Sequence, residues 1–391
     1  MRLRALTTTA ALFTALAACG APPPSPQARP QTARSTAAAS PTGPRPFTLL
    51  ASGDVLPHAE IIRQAADDAG GHGYDFAPML ADVEPVVSAA DLAICHLETV
   101  SGADGGPFTG WPTFKSPPQL ARALKDTGYT SCDTASNHTL DDGPDGIRRT
   151  LDAMDAAGLA HTGSARTADE AGAPALLRVH GATVAQLAYT YGTNDIPLPP
   201  GQPWAVNLID RDRILADARA ARRAGADIVV VSMHWGTEWQ DEPNDQQLTL
   251  TRELTAEQRP DAPDVDLILG THAHIPQAYE KVNGTWTVYG MGDQIAGRMY
   301  DYTGAEDPRG NWSSIARFTF SPPAGPGRRW TVTRAEFLPQ LMDGPPYRVL
   351  DLAAAARRHP DRTDLARALD HIRTIVLSRG AAADGLTMAP S

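Results

Sequence analysis

Two stretches decide the fold: Asp227-Ile-Val-Val-Val-Ser-Met-His-Trp-Gly236 and Asp266-Leu-Ile-Leu-Gly-Thr-His-Ala-His274. Each is a short run of Val, Ile and Leu that stops abruptly at polar residues. Runs this short, apolar at consecutive positions, predict strands buried on both faces. In open α/β sheets the carboxyl ends of the strands carry the site. His234, His272 and His274 are therefore expected to meet at one edge of one sheet. Three imidazoles delivered together suit a metal ion.

Working outward, the same pattern recurs. Residues 47–54 form an apolar run ending in Gly53-Asp54, and 91–98 form another ending at Glu98. Side chains alternate along a strand, so His96 and Glu98 point the same way. A third expected strand, 129–138, ends in Asn137-His138. Helical segments are expected at about 58–69, 76–88, 118–127, 142–154, 210–224 and 245–257. Alternating strand and helix predict a sheet covered on both faces. The long loop 99–117 contains Trp111, Phe114 and Lys115, and such loops over a sheet edge line sites. Hairpins are expected around His180-Gly181 and around Asn283-Gly284, the latter a strong turn signal. Residues 312–320 and 330–337 alternate like antiparallel strands, and 350–377 read as two helices. No internal repeat or second linker is visible, which favours one domain with two sheets.

Composition bounds the function. The 391 residues carry a net charge of −11, with 42% hydrophobic and 20% charged residues, enough for a sizeable core. The acidic balance argues against nucleic acid as the main partner. It leaves an anionic substrate open, because bound cations reverse the local sign. Met1-Arg-Leu-Arg4 followed by the apolar stretch Ala5 to Ala18 has the shape of a secretory signal and is too short for a membrane span. It ends Leu16-Ala-Ala-Cys-Gly20, which resembles a bacterial lipobox. That resemblance implies cleavage before Cys19, lipidation of Cys19 and an extracytoplasmic protein anchored to the cell membrane; an ordinary signal peptide is the alternative. Residues 20–46, rich in Pro, Ala, Ser and Thr, form a tether. Cys95 and Cys132 both fall in expected strands. Two separate buried thiols are favoured over a disulfide, because strand geometry often forbids the bridge.

Five strand ends thus carry Asp54, Glu98, Asn137, His234 and the pair His272/His274. Each has a bland explanation alone, a turn residue, a helix cap or a surface histidine. In series they point to one site. Carboxylate, amide and imidazole together suit Mn, Fe or Zn rather than Ca. A bridging carboxylate could hold two ions in the arrangement that hydrolyses phosphate esters.

The order Gly-Asp, carboxylate, Asn-His, His, Gly-x-His-x-His is similar to the calcineurin-like metallophosphoesterase superfamily. More closely, it resembles the CapA family of capsule and poly-γ-glutamate synthesis proteins. The matching stretches are Ser52-Gly-Asp-Val-Leu56, Ala90-Asp-Leu-Ala-Ile-Cys-His-Leu-Glu-Thr99, Phe114-Lys-Ser-Pro117, Ala135-Ser-Asn-His-Thr-Leu-Asp-Asp-Gly143, His234-Trp-Gly-Thr-Glu238, Pro243 with Gln247, and Gly270-Thr-His-Ala-His274. The resemblance implies Asp54, Glu98 and His274 around one metal, and Glu98, Asn137, His234 and His272 around the other. It places His138 near the leaving group, as acid or hydrogen-bond donor. Lys115 and Glu238 fall in family-like loops and could touch substrate, with surface solvation an equal account. The chain departs from the pattern in three places. Leu56 stands where the superfamily has His, with His58 two residues further on. His96 replaces a usual Asn and could serve as an extra ligand. Asp293 replaces a usual Asn and is expected to alter the rim of the site.

The fold expected is an α/β/β/α sandwich of two mixed sheets, metallophosphatase-like. The domain organisation expected is a leader 1–18, lipidated Cys19 with its tether to 46, the metallophosphatase-like domain 47–345, and C-terminal helices and tail 346–391. The function expected is a lipid-anchored hydrolase using one or two divalent ions. It would act on an anionic polymer or phosphorylated precursor, within a polymer-synthesis membrane complex. The alternative is a non-catalytic component that binds or escorts the polymer.

Overall fold

The computed structural model describes residues 43–256, 263–325 and 328–390. The leader, Cys19 and all of the tether before residue 43 lie outside them. Residues Gly43–Ser391 form one compact unit. No helix among the described residues is long and apolar enough to cross a membrane.

The strands, in chain order, are β1 (Phe47–Val55), β2 (Leu92–Leu97), β3 (Val100–Ser101), β4 (Lys115–Ser116), β5 (Ser131–Asp133), β6 (Ala160–Thr162), β7 (Ala175–Val179), β8 (Ala182–Thr190), β9 (Ile228–His234), β10 (Leu267–Thr271), β11 (Tyr279–Val282), β12 (Thr285–Val288), β13 (Asp293–Ile295), β14 (Trp312–Ser321), β15 (Thr331–Asp343), β16 (Arg348–Asp351) and β17 (Leu386–Met388). One mixed sheet runs β16-β15-β14-β1-β2-β5-β6, with β13 also on β1 and β17 on β15. The other runs β11-β12-β10-β9-β8-β7, with β8, β9, β10 and β12 parallel. A two-stranded ribbon joins β3 and β4.

Alternation along the strands builds the layers. Leu49, Ala51 and Ile94 from one sheet meet Val184, Val230 and Leu267 from the other in the core between the sheets. Their neighbours Leu50, Ala93 and Cys95 face outward, against Ile61, Leu124 and Ile147. Those residues come from helices Ala59–Asp68, Gln119–Thr127 and Gly143–Ala157. Val229 and Val231 face the opposite way, against Ile214 and Leu254 of helices Arg211–Arg223 and Asp245–Ala256. The result is the expected four-layer α/β/β/α sandwich of two mixed sheets. Local signals start and stop these helices. Asp210 caps Arg211–Arg223 by accepting from the Arg213 N–H, and Gly158, at φ 73°, ends Gly143–Ala157 in a left-handed conformation.

Several expectations are corrected. The single helix over 76–88 is two short ones, Ala77–Leu80 and Glu84–Ser88, because Pro85 sits in the first turn of the second and cannot continue the first. The strand over 129–138 is confined to Ser131–Asp133, so Asn137 and His138 stand on the loop that follows it. Cys95 and Cys132 are joined as a disulfide rather than kept as thiols. They are register partners on neighbouring parallel strands, with Cα atoms 4.4 Å apart, at the near end of the bridging range. The C-terminal segment adds more than helices. β16 and β17 pair with β15, and helices Leu352–Arg358 and Thr363–Val376 contribute Leu352, Leu365 and Ile372 to the inter-sheet core.

Candidate metal centre

Parallel pairing aligns the strand ends. Asp54 is in register with His96 on one side and Asp293 on the other, and His96 is in register with Asp133. One row across β13, β1, β2 and β5 therefore reads Asp293, Asp54, His96, Asp133. In the second sheet His234 is in register with Thr271, and His272 follows at once. The close approach that allows this depends on Gly53. A Cβ there would lie 1.7 Å from the Gly292 carbonyl oxygen, and the Asp54 N–H donates to that same oxygen at 2.9 Å. His272 and His274 hold φ of 89° and 60°. Such left-handed values are costly for side chains of this kind and concentrate at functional sites.

The structure brings together the residues expected at the metal. Asp54 Oδ2 accepts from the His272 N–H at 3.1 Å. His234 Nε2 is 2.8 Å from Asn137 Oδ1 and 3.7 Å from Glu98 Oε1. The His234 and His272 rings are 4.7 Å apart between centroids, as are those of His234 and His96. Two compact donor groups result, Asp54–His96–His234 and Asp54–His274–Asp293, each with its ligand atoms within 4.8 Å of one another. Asp54, rather than Glu98, is the residue common to both. His96 thus joins the cluster. Asp293 is not on the rim: it is fully buried, with Oδ1 3.0 Å from His274 Nδ1.

Chemistry of the donor set fits a cation. Asp54 Oδ1, His96 Nε2, both carboxylate oxygens of Glu98 and His272 Nδ1 are buried without a hydrogen-bond partner. Such atoms in a sealed core are costly. Burial pushes the Asp54 carboxyl up to about 7, reinforced by Asp293 and opposed by His96. Burial also holds Glu98 well above the carboxylate range, with Asp54 adding to the rise. Burial would lower His96, but Asp133 and then Asp54 outweigh it and hold the ring at about 9. Burial and the neighbouring imidazoles keep His234 and His272 far below their ordinary value, in the neutral form that ligates metals. A divalent cation would stabilise the Asp54, Glu98 and Asp293 carboxylates as anions and satisfy the open imidazole nitrogens.

The remaining candidates separate. His138 Nδ1 is 2.7 Å from Asp141 Oδ2, which also accepts from the Phe114 N–H at 2.6 Å. His138, His274 and Glu238 line a cleft of about 680 Å³ that opens beside the cluster. Glu238 Oε1 is 4.0 Å from His274 Nε2. Lys115 does not line the cleft, and its Nζ lies 3.7 Å from Asp142 Oδ1. His58 stays outside both donor groups. Its Nδ1 contacts the Leu56 carbonyl and the Gly297 N–H at 3.0 and 3.2 Å. Sequence reasoning missed Asp133, Asp141 and Thr271, whose oxygen is 3.0 Å from His234 Nδ1. Asp141 had a usable signal, its place three residues after His138. Asp133 and Thr271 are picked out only by strand register.

Comparison with known proteins supplies a frame. The family described as "Bacterial capsule synthesis protein PGA_cap" matches residues 48–298. Among relatives, the PGA biosynthesis protein CapA of Bacillus subtilis (strain 168) is 29% identical over 229 residues, 54% of this chain and 55% of that one. The capsule biosynthesis protein CapA of Bacillus anthracis is 27% identical over 181 residues, 45% of this chain and 42% of that one. The chain thus spans about half the length of these relatives. Among solved structures, a calcineurin-like phosphoesterase of Bacillus subtilis aligns with a TM-score of 0.45 at 11% identity, covering 84% of this chain and 99% of that one. A 5'-nucleotidase precursor of Thermus thermophilus aligns at 0.44 and 17%, covering 76% and 54%.

Proposed function

Because the chain belongs to the PGA_cap family of bacterial capsule synthesis proteins, we propose that it is a metal-dependent hydrolase in the synthesis, processing or export of a capsule-type polymer. One observation carries this reading: the buried donor cluster with five unpartnered polar atoms on Asp54, His96, Glu98 and His272. Each uncompensated atom of that kind costs about 1–3 kcal/mol, a standing penalty that a fold without a cation there would have no reason to keep. Asp54, His96 and His234 would hold one Mn, Fe or Zn ion, and Asp54, His274 and Asp293 a second. Glu98, Asn137 and His272 stand close enough to complete the shells.

Ions bound there supply an activated water and stabilise charge developing on the scissile group. The chain's own residues do the rest. Asp141 accepts from the His138 Nδ1–H, which fixes the orientation of the ring. His138, at the wall of the cleft, would donate to the departing oxygen through its other ring nitrogen. Buried walls around Asp54 and Glu98 exclude bulk water and strengthen these interactions. The substrate would be an anionic polymer or a phosphorylated precursor. The setting would be outside the cytoplasm, on a membrane-anchored chain held through Cys19, a placement that rests on the leader sequence. Purified protein should cleave a phosphodiester such as bis(p-nitrophenyl) phosphate when Mn or Zn is supplied, and lose that turnover with His234→Ala. Full metal loading with no turnover on phosphodiester, phosphomonoester or polyglutamate substrates would overturn the hydrolase reading.

A further inference from the structure

Few large apolar side chains are exposed, and where they stand is informative. Among the described residues, Trp111 is 76% exposed, Tyr302 84%, Tyr300 49% and Tyr191 43%, with Met388 the remaining one at 37%. The first three line the cleft that His138 and His274 also line. Tyr191 lies over His272, 4.4 Å between ring centroids. Four of five exposed large apolar groups thus surround the mouth of the candidate metal centre. Scattered exposure is ordinary, but a patch rimming a polar site marks a binding surface.

The chemistry of the cleft narrows what binds. Glu60, Glu238 and Asp301 line it against a single guanidinium, Arg298. A run of carboxylates would meet like charge along this wall and find attraction only at the metal cluster itself. Trp111, Tyr300 and Tyr302 are each broadly exposed, so each presents an open ring face to whatever enters the cleft. A pyranose ring uses one open face, because its weakly positive C–H groups meet the negative π surface, and its hydroxyls can donate to nearby carboxylates such as Glu238.

We propose that this cleft is a carbohydrate subsite, so that the substrate is a sugar-borne phosphate ester whose ring stacks on Trp111 and Tyr302 while its phosphate reaches the metal cluster. The ester part rests on the hydrolase reading above, whereas the sugar part stands on the cleft alone. Glucose, galactose, mannose and N-acetylglucosamine tetraoses, a glutamate decamer with γ-linkages, and adenosine would each be titrated calorimetrically into the full metal-loaded chain. At least one tetraose is expected to bind saturably and to outcompete the decamer and adenosine. Trp111→Ala and Tyr302→Ala, both at exposed positions that leave the core untouched, should each weaken it by about tenfold. His272→Ala should lose metal and keep the sugar. Absence of tetraose binding, indifference to both aromatic substitutions, or a preference for the decamer or adenosine would overturn the subsite. Sugar binding in a chain that holds no metal would support the subsite and sink the hydrolase.

Discussion

Asp54 and Asp293 are register partners on neighbouring parallel strands, and both carboxylates are completely buried. Two like charges placed so close and sealed from water are tolerated only if a cation or a proton lies between or beside them. Asp293→Asn tests this directly. The amide keeps a hydrogen-bonding oxygen toward His274 and removes the charge. The variant is expected to fold and to lose bound metal, with affinity falling by about tenfold or more. Unchanged metal content, read by elemental analysis, would remove Asp293 from the cluster.

His234 is enclosed by Asn137, Thr271, Glu98 and His96. His234→Ala removes a ligand and opens a cavity, so metal should be lost and the metal-free fold should weaken by about 2–3 kcal/mol. Denaturant titration with and without chelator separates the two effects. In the variant the two curves should coincide, whereas in the parent the chelator should lower the midpoint.

Protonation gives a third handle. Without a cation, His96 at about 9 and Asp54 at about 7 hold protons near neutrality, both on buried sites, and Glu98 is held well above its ordinary range by burial. A cation expels those protons. Affinity for Mn or Zn should therefore rise as pH climbs through about 7, with proton release greater below that value than above it. Calorimetry in buffers of different ionisation enthalpy reads the release, and metal binding without it would contradict the protonated cluster.

Asp141 acts through His138. Asp141→Asn should leave metal content intact and lower turnover by about 10²-fold or more, because the His138 ring loses the carboxylate that orients it. Lost metal in this variant would show instead that the loop is needed to build the cluster.

Much of this site was legible because the chain marks it locally. Asp54, His234 and His272 each follow an apolar run, so strand and strand end could be read together. His96 was reachable through alternation with Glu98. Asp133, Thr271 and the inward place of Asp293 were not, because they depend on which strands lie side by side and in what register, which no local pattern encodes. The Cys95–Cys132 bridge was passed over for the same reason. The helix break at Pro85 was readable, because proline cannot continue a helix. The aromatic rim escaped notice because Tyr191, Tyr300 and Tyr302 lie on connecting loops, far from Trp111 in sequence.

Gly53 tests the architecture independently of the chemistry. Gly53→Ala would drive a methyl group into the Gly292 carbonyl oxygen, 1.7 Å from the new Cβ. A loss of about 3 kcal/mol is expected, together with metal affinity, as β1 and β13 separate. Thermal melts and metal content should fall together.

The most direct measurement is metal content of the purified full chain after exhaustive dialysis, by mass spectrometry of the elements. One or two Mn, Fe or Zn ions per chain are expected, falling to near zero in Asp54→Ala, since Asp54 stands in both donor groups. A parent chain without stoichiometric metal, even after incubation with excess Mn and Zn, would contradict the account at its centre.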